Sequence, residues 1–465
     1  MSELRVTPTL IPGLLVIDLP LHGDNRGWFK ENWQRARMTA LGLPDFGPVQ
    51  NNISFNGSAG ATRGLHAEPW DKFVSLACGR IAGAWVDLRE GPSFGTSFTL
   101  EMGPDKAVFV PRGVANGYQA LEDATVYTYL VNEHWSPAAR ASYTYLNLAD
   151  ETVAIPWPIP LERAEISAAD AAHPRLADVT PMPRRRTVIL GAGGQVGRAL
   201  TGLLPDAVAL THNDLDACDA DALAAHDWTG VATIVNAVAY TAVDGAETPE
   251  GRRACWAANV TAVGHLVRLA RRIRATLVHI SSDYVFDGTV EVHDEHEPVS
   301  PLGVYGQTKA AGDALVATLE RHYIVRTSWV IGEGRNFVRM MAGLADRGIR
   351  PSVVDDQVGR LTFADDLAAG IVHLLTAEAP FGTYNISNAG RAMSWADIAR
   401  QVFALRGREG ADVAAVSTGE YAKGRALAPR PHHSTLSLER IVAAGFTPPD
   451  AEARLREYVT ALDRG

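Results

Sequence analysis

Cysteine is scarce in this sequence, with Cys78, Cys218 and Cys255 the only three among 465 residues. Their odd number and wide spacing exclude a disulfide framework and a clustered thiolate metal site. Such usage is typical of a reducing compartment, and we therefore expect a cytoplasmic protein.

Two further absences narrow the class of protein. The formal net charge is -10 and the positive charges are dispersed, which argues against a nucleic-acid-binding surface. No apolar run approaches the roughly 20 residues that span a bilayer, and the N-terminus lacks the layout of a signal peptide. We expect a small-molecule partner, with neither nucleic acid nor membrane involved.

The chain has two textures, which predict a multidomain protein. Residues 1–180 contain short apolar or alternating runs such as "KFVSLACG" and "AVFVPRG", a pattern typical of an all-β sandwich or barrel. From residue 187 to 465, strand-like runs such as "TVILG" alternate with helical stretches, which predicts a parallel sheet covered by helices. Residues 181–186, "PMPRRR", are interpreted as a linker between the two domains.

The stretch "GAGGQVG" follows a buried strand and opens a helix, as in dinucleotide-binding folds. Gly191 would permit a tight turn, Gly194 the approach of a pyrophosphate, and Gly197 close packing of helix on strand. A structural glycine turn explains the motif alone equally well, but its place at the start of a βαβ series favours a cofactor. The predicted cofactor-binding residues are Gly191, Gly194, Gln195, Val196, Gly197 and Asp214, joined by Tyr305 and Lys309.

The second strand of this series carries no acidic residue at its end, at 211–212, where a strict NAD enzyme would hold the ribose hydroxyls. Asp214 lies slightly beyond that position. Both NADPH and NADH therefore remain open as the cofactor.

Tyr305 and Lys309 are four residues apart, so on a helix they share one face. A lysine ammonium beside the phenol is expected to lower the tyrosine pKa. Ser282, at the end of the strand-like run "TLVHIS", could bind the same carbonyl oxygen. The alternative is a surface Tyr and Lys on an amphipathic helix, but the glycine motif upstream favours ketone reduction with hydride.

The stretches "GAGGQVG", "ISSDYVFDG", "VYGQTKAAGD" and "VVDDQVGRLTFADDLA" stand in order within residues 187–440. Together they resemble the extended short-chain dehydrogenases, and more narrowly the dTDP-4-dehydrorhamnose reductase family. The resemblance implies an α/β Rossmann fold with a small substrate-binding lobe and the catalytic residues Ser282, Tyr305 and Lys309. It also implies sugar-nucleotide contacts from Asp283, Tyr284, Trp329, Asn336, Phe337, Gln357 and Arg430.

One departure, one match and one run need comment in this half of the chain. The family usually has Thr where Ser282 stands, a change that keeps the hydroxyl, and Asn259 stands where the superfamily often has an active-site Asn. The run "HDEHE" at 293–297 has the composition of a metal site, but a solvated acidic loop is the better interpretation. No metal is predicted.

In the N-terminal half, "TRGLHAEPWDKFV" places His66 after Arg63 and before Lys72. A histidine can accept a proton at neutral pH, and a nearby cation can stabilise an enolate oxygen. Tyrosines in "TVYTYLVNEHW" could return the proton, as epimerisation beside a ketone requires. From these residues alone, ordinary half-buried strand side chains explain the pattern equally well.

The stretches "DNRGWFKE", "TRGLH", "VFVPRGVANGY" and "ISAAD" are similar to the dTDP-4-dehydrorhamnose 3,5-epimerase family over residues 5–176. The resemblance implies a cupin-like jelly-roll barrel in which His66 is the base, Asp170 orients it, Lys72 polarises the C4 ketone and Tyr129 is the opposing acid. It further implies a substrate pocket lined by Arg26, Phe29, Glu31, Gln50, Asn52 and Arg63.

The N-terminal half departs from its family at three places. The segment between His66 and Lys72 is short, Asn116 replaces a histidine, and Trp135 replaces a second tyrosine. The position of Lys72 and the contacts to the nucleotide therefore need testing against the structure.

The two halves together predict a bifunctional enzyme that epimerises a dTDP-4-keto-6-deoxyglucose and then reduces its C4 ketone with NADPH or NADH. Three alternatives stay open: a UDP-linked or differently substituted sugar, a reductase with a non-catalytic barrel, and a regulatory cofactor-binding subunit. Barrels of this family commonly pair, so we expect a homodimer.

Overall fold

The computed structural model describes residues 3–377 and 379–462, apart from the side chain at position 138. The chain divides into two compact units, Met1–Arg184 and Arg185–Gly465, and the boundary falls within residues 181–186. In the described ranges, no helix combines the length and the apolar character needed to cross a membrane.

The N-terminal unit is built almost entirely of strands. Its short α-helices are α1 (Arg35–Ala40) and α2 (Ala168–Ala171). Its strands are β1 (Arg5–Pro8), β2 (Leu15–Asp18), β3 (His22–Asp24), β4 (Gly27–Phe29), β5 (Gln50–Asn56), β6 (Ala61–Ala67), β7 (Lys72–Cys78), β8 (Ile81–Asp87), β9 (Ser97–Met102), β10 (Lys106–Val110), β11 (Val114–Ala120), β12 (Thr125–Val131), β13 (Thr144–Tyr145) and β14 (Glu165–Ile166).

These strands form two six-stranded sheets. The first has the order β1-β2-β10-β7-β12-β5 and the second β13-β6-β11-β8-β9, with β14 added beside β6. Apolar side chains of both sheets share one core, including Val74 and Val108 from the first and Ile81 and Trp85 from the second. Because β6 and β7 are consecutive but belong to different sheets, the segment between them carries the chain from one sheet to the other.

The C-terminal unit alternates strands with helices. Its strands are β15 (Arg186–Leu190), β16 (Val208–Leu210), β17 (Val231–Asn236), β18 (Thr276–Ser282), β19 (His322–Thr327), β20 (Val330–Ile331), β21 (Ser352–Val354), β22 (Val358–Gly359), β23 (Thr362–Phe363), β24 (Gly382–Asn385), β25 (Met393–Ser394) and β26 (Ala414–Val416). Its α-helices are α3 (Gln195–Leu203), α4 (Ala220–Ala225), α5 (Pro249–Trp256), α6 (Ala262–Ile273), α7 (Val304–Val316), α8 (Phe337–Asp346), α9 (Ala364–Thr376), α10 (Trp395–Leu405), α11 (Thr418–Tyr421), α12 (Glu439–Ala443) and α13 (Ala451–Ala461).

Six of these strands form a parallel sheet in the order β16-β15-β17-β18-β19-β24. The chain moves outward from β15 to β16 and then returns to the other side of β15 with β17. Ligands of open parallel sheets bind at such a reversal, outside the carboxyl ends of the strands. A second core, formed by α8, α10, α13 and short strand pairs, contains residues such as Met341, Phe363 and Val402.

The first turn of α3 packs against the strand that precedes it through two glycines. Gly191 has φ of 79°, and a Cβ there would lie 2.8 Å from the carbonyl carbon of Ala237. A Cβ on Gly197 would lie 2.2 Å from the carbonyl oxygen of Gly191, closer than van der Waals contact allows. The helix can therefore approach the strand only because these positions lack side chains.

We predict that Gly197→Ala lowers the free energy of unfolding of the C-terminal unit by about 1–3 kcal/mol, since the added methyl meets backbone that cannot move freely. Gly202→Ala in the same helix is the matched control, because a Cβ there meets nothing within 4 Å. Urea unfolding of the full chain measures both variants. Equal stability of the two variants would contradict the packing argument.

Candidate active sites

His66 and Asp170 form a hydrogen-bonded pair in the N-terminal unit. The Nε2 atom of His66, on β6, lies 2.8 Å from Oδ1 of Asp170, on α2. Burial raises the pKa of Asp170, but the hydrogen bond to His66 and the backbone N–H of Gly64 outweigh burial, so that the pKa is lowered overall. The carboxylate therefore stays charged and can orient the imidazole and stabilise its protonated form.

Lys72 is the first residue of β7 and its side chain is almost fully buried. Its Nζ donates a hydrogen bond of 2.6 Å to Oδ1 of Asn116 and forms an ion pair with Glu68. Burial lowers the pKa of Lys72, while the Glu68 carboxylate opposes this shift. Since an ammonium has three N–H donors, one remains after Glu68 and Asn116 are satisfied and could bind an enolate oxygen.

Asn116 connects this lysine to the His66 pair. In the antiparallel register of β6 and β11, Asn116 stands directly opposite His66, so both side chains project on the same face of the sheet. Its Nδ2 also donates to the hydroxyl of Tyr127 at 3.1 Å. The amide that replaces the family's histidine thus holds Lys72. This function of Asn116 was missed from the sequence because it follows only from the strand register. The ion pair of Glu68 with Lys72, four residues along the chain, was missed as well.

Tyr129 lies on β12 and faces the same lysine. The Nζ of Lys72 is 5.7 Å from the centre of the Tyr129 ring. Burial raises the pKa of Tyr129 to about 12, so the phenol remains protonated and can donate a proton. Asn52, which stands opposite Tyr129 on β5, accepts a 2.8 Å hydrogen bond from Gln50. Two predicted substrate-binding residues therefore adjoin Tyr129.

The remaining predicted substrate-binding residues of this unit lie in two places. Arg63, on β6 of the second sheet, donates to Oδ1 of Asn56, on β5 of the first sheet, at 3.1 Å. Arg26, Phe29 and Glu31 instead lie on or just after the exposed β3–β4 hairpin, where Arg26 pairs with Asp24 and Glu31 with Arg37. Arg26 thus pairs within the hairpin, Glu31 pairs with a residue of α1, and the Phe29 side chain is 65% exposed.

In the C-terminal unit, the glycine turn leads from β15 into α3. Gly194 is the N-cap of α3 and supplies no side-chain cap, so the first helical N–H groups are available to an anion. A Cβ on Gly194 would have no neighbour closer than 3.4 Å. Among the described residues, the buried Oε1 of Gln195 has no hydrogen-bond partner. The open N-terminus of α3 fits the pyrophosphate of a dinucleotide, whereas the Gln195 oxygen, an acceptor, can pair only with a donor.

Two other predicted cofactor-binding residues have structural contacts. Val196 packs against the core under α3. The Oδ2 of Asp214 accepts hydrogen bonds from the backbone N–H and the hydroxyl of Thr211, at 2.8 and 2.6 Å, and closes the turn that follows β16. The carboxylate of Asp214 is thus turned towards its own loop.

Ser282, Tyr305 and Lys309 meet where β18 ends beside α7. Tyr305 and Lys309 lie one turn apart on α7, and the Ser282 hydroxyl is hydrogen-bonded to the Tyr305 phenol. The Nζ of Lys309 donates to the carbonyl oxygen of Ile280 at 2.6 Å. Beside them, buried Asn259 donates to the hydroxyl of Thr308 at 3.0 Å and belongs to a π-helical turn at Ala257–Thr261.

The expectation that Lys309 lowers the pKa of Tyr305 is wrong for this structure. Burial raises the pKa of Tyr305, and the hydrogen bond with Ser282 only partly offsets this. The reason is geometric, since the ammonium of Lys309 is directed at the Ile280 carbonyl. Burial also lowers the pKa of Lys309 to about 8, although the nearby Asp313 carboxylate opposes the shift.

A narrow cleft beside Tyr305, too small in this structure to hold a water molecule, is lined by Tyr284, Glu247, Leu302 and Pro429. The rings of Tyr284 and Tyr305 pack edge to face, with centres 5.7 Å apart. Arg430 hydrogen-bonds Tyr284 and pairs with Asp244 at 2.8 Å, which brings a cation to this cleft. Asp283, buried next to Ser282, accepts a 2.9 Å hydrogen bond from its hydroxyl, and burial raises the pKa of Asp283 to about 6.

The other predicted substrate-binding residues of this unit are held in the second lobe. Trp329 stacks on Trp395 with ring centres 3.9 Å apart, and Phe337 packs against the same ring. Asn336 caps α8 and donates to the hydroxyl of Tyr458, while Gln357 is buried and donates to Thr418. The contacts described for these four side chains are therefore made within that lobe and not with Tyr305.

Comparison with known families agrees with the two units. Residues 185–464 match the RmlD substrate binding domain family, and residues 8–178 match the dTDP-4-dehydrorhamnose 3,5-epimerase family. The chain is similar to the Protein RmlC homolog of Streptococcus pyogenes serotype M6, with 49% identity over 177 residues, which cover 37% of this chain and 89% of that protein.

Two reductases provide the corresponding comparison for the C-terminal unit. The dTDP-4-dehydrorhamnose reductase of Mycobacterium tuberculosis strain H37Rv is 36% identical over 292 residues, which cover 60% of this chain and 91% of that protein. The solved dTDP-4-dehydrorhamnose reductase of Bacillus anthracis strain Ames, in complex with NADP, is 31% identical with a TM-score of 0.55. This match covers 60% of this chain and 99% of that structure. The predicted resemblance to both families is confirmed.

We predict that kcat/KM for ketone reduction falls as the pH rises through about 8, because Lys309 then loses the proton that gives it its charge. Below that pH the ammonium is present and the rate is independent of this group. Lys309→Arg should remove the alkaline decline from this range, since a guanidinium stays protonated. Lys423→Arg, at an exposed position, should keep it. An identical decline in Lys309→Arg would show that another group titrates.

Proposed function

The chain belongs to the RmlD substrate binding domain family and, in residues 8–178, to the dTDP-4-dehydrorhamnose 3,5-epimerase family, and from this premise we propose that His66 and Tyr305 act in turn on one substrate ketone. The chain is a bifunctional enzyme of dTDP-rhamnose synthesis, an epimerase joined to a reductase. Its reductase half uses NADPH or NADH.

For epimerisation, we propose that His66 removes a proton from a carbon next to the C4 ketone of a dTDP-4-keto-6-deoxy sugar. The charged Asp170 stabilises the imidazolium that forms, and the free N–H of Lys72 binds the enolate oxygen. Tyr129, kept protonated by its raised pKa, returns a proton from the opposite face. The same step at C3 and C5 inverts both centres.

For reduction, NADPH or NADH supplies hydride to C4 when bound. The Ser282 hydroxyl, which donates to Asp283 in the free chain, would turn to donate to the carbonyl oxygen, and Tyr305 donates the proton that completes the alcohol. The raised pKa of Tyr305 keeps the phenol protonated before the reaction, as an acid in this direction must be. Lys309 is assigned to the phenolate left behind through the N–H groups that its bond to the Ile280 carbonyl does not use. Tyr284 with Arg430 would contact the sugar nucleotide.

We further propose that residues 1–180 form a cupin-like jelly-roll barrel, that 181–186 is a linker, and that 187–465 form a Rossmann unit with a substrate lobe. The two antiparallel sheets around a shared core support the first assignment. The parallel sheet, its reversal after β16 and the glycine turn before α3 support the second.

The observation that carries the proposal is the pairing of a His–Asp base with a buried lysine in one unit and a Ser–Tyr–Lys set in the other. The test is NMR of dTDP-4-keto-6-deoxyglucose in deuterated water, first without and then with NADPH. We predict that Tyr305→Phe still exchanges deuterium at C3 and C5 but loses reduction by about 10²–10⁴-fold. His66→Asn should lose the exchange by a similar factor because it lacks the base.

A mixture of these two variants provides the control, because each retains one intact site and together they should restore formation of the reduced, epimerised sugar. Exchange that persists in His66→Asn would show that His66 is not the base of the barrel. Full reduction by Tyr305→Phe would favour the regulatory-subunit alternative. A preference for the UDP-linked ketone in the same assay would show that the substrate carries UDP rather than dTDP.

We also propose that the N-terminal units pair into a homodimer through β5. This strand is the edge of its sheet, and its outward residues Ile53 and Phe55 are 68% and 64% exposed. An edge strand with apolar outward residues is open to pairing with another strand, and a second copy offers the same surface. Pairing would also give Arg26 and Phe29 on the exposed hairpin a route to a neighbouring pocket.

We predict that the double substitution Ile53→Lys and Phe55→Lys converts the dimer to a monomer, because like charges would face each other across the paired edges. Sedimentation velocity of the full chain measures this change. Leu10→Lys, which alters an exposed apolar residue away from β5, should leave the dimer intact. A wild-type monomer at micromolar concentration would contradict the proposal.

A further inference from the structure

Three potential metal ligands converge beside the proposed epimerase base. The ligand atoms of His66, Asp170 and His173 all lie within 4.8 Å of one another. His66 Nε2 is 2.8 Å from Oδ1 of Asp170, and Nε2 of His173 is 3.9 Å from the same oxygen. Among the described residues, no other group of three such ligands comes this close together.

The run at 293–297, which has the composition of a metal site, is arranged differently. His293 is buried and pairs with Glu297, with 2.8 Å between Nδ1 and Oε2, while its Nε2 contacts the carbonyl oxygen of His433 at 3.0 Å. Both nitrogens of His293 are therefore occupied by protein partners, and His296 is exposed.

His173 has no other function in the structure. Its side chain is 12% exposed and, within the described part of the chain, its imidazole forms no hydrogen bond, with Nδ1 buried and unpartnered. The nitrogen that faces Asp170 is Nε2, which has no hydrogen-bond partner within the described part of the chain and is therefore free to bind an ion. The imidazole stacks on Tyr145, with 4.5 Å between ring centres, and makes an edge contact with His66. These two contacts fix its orientation beside Asp170.

The ligand set and its spacing suit Zn²⁺. Two imidazoles and one carboxylate, with a fourth position left open, form a common zinc site, and ligand atoms of tetrahedral zinc lie about 3.3 Å apart. The observed 2.8 and 3.9 Å lie on either side of that value, and no pair of the three ligand atoms is more than 4.8 Å apart. Closing the site around an ion therefore requires side-chain movements of about 1.5 Å or less.

We propose that His66, Asp170 and His173 form a zinc site whose occupation inhibits the epimerase half of the enzyme. The ion takes the place, on Nε2 of His66, of the proton shared with Asp170. That proton moves to Nδ1, so the imidazole binds zinc in its neutral form and has no nitrogen left to act as a base. The binding rests on geometry alone, whereas the inhibition rests on the function proposed for His66, and the two are therefore measured separately.

Binding is tested by titrating metal-free full-length chain with ZnCl₂ against a chromophoric chelator. We expect one tight site per chain, weakened about tenfold or more in His173→Gln and retained in His173→Cys, because a thiolate is also a zinc ligand. His134→Gln, at an exposed position, is the matched control and should bind as the wild type does. Thermal unfolding without metal confirms that each variant is folded.

Absence of a stoichiometric site in the wild type, or equal affinity in His173→Gln, would overturn the zinc site. A visible spectrum of the Co²⁺-loaded chain gives a second readout that does not depend on activity. Tetrahedral absorption in the wild type and in His173→Cys, but not in His173→Gln, supports the ligand set, and the same spectrum in all three would overturn it.

Inhibition is tested by deuterium exchange into dTDP-4-keto-6-deoxyglucose without reduced cofactor, with each variant compared with itself before and after one equivalent of Zn²⁺. We expect the wild type to lose exchange about tenfold or more and to regain it with excess chelator, while His173→Gln changes little. Reduction of an already epimerised ketone by the same chain should be unaffected. Zinc that binds without slowing exchange overturns the inhibition, and no exchange before zinc is added overturns the function proposed for His66.

Discussion

Both proposed active sites depend on a lysine that has been removed from water. Lys72 is 4% exposed and Lys309 is 1% exposed. Burial of an ammonium is costly unless oxygen atoms replace its hydration. Asn116 and Glu68 do this for Lys72, and the carbonyl oxygen of Ile280 does it for Lys309. The charge that each reaction needs is therefore available only when the strands that carry these oxygens are correctly paired.

The sequence predicted local relationships better than distant ones. A spacing of four residues placed Tyr305 and Lys309 on one helical face, and the alternation of strands with helices predicted a parallel sheet, as the structure has it. The order of strands in each sheet was not predictable, since it depends on which distant segments bury each other. The function of Asn116 was missed for this reason, because its position opposite His66 follows from the register of β6 and β11.

The pKa of Tyr305 shows how a motif can predict the partners of a group but not its electrostatics. A lysine four residues along α7 suggested a lowered pKa, yet the Lys309 ammonium is directed at a backbone carbonyl and burial raises the pKa instead. Which of these effects dominates depends on burial, and burial is set by packing around the helix rather than by the spacing itself. For a proton donor in a reduction, the raised pKa is the useful direction.

The chemistry of the ketone fixes the order in which the two units must act. In the proposed mechanism, His66 can remove the C3 and C5 protons only while the adjacent carbonyl can accept charge as an enolate, which Lys72 would stabilise. Once the proposed acid Tyr305 has delivered its proton and C4 is an alcohol, no enolate can form and those centres are fixed. Epimerisation is thus reversible until reduction occurs, and the reductase half determines which stereoisomer leaves the pathway as product. A chain that carries both sites supplies them in equal numbers, so the reversible step is always accompanied by the step that makes it permanent.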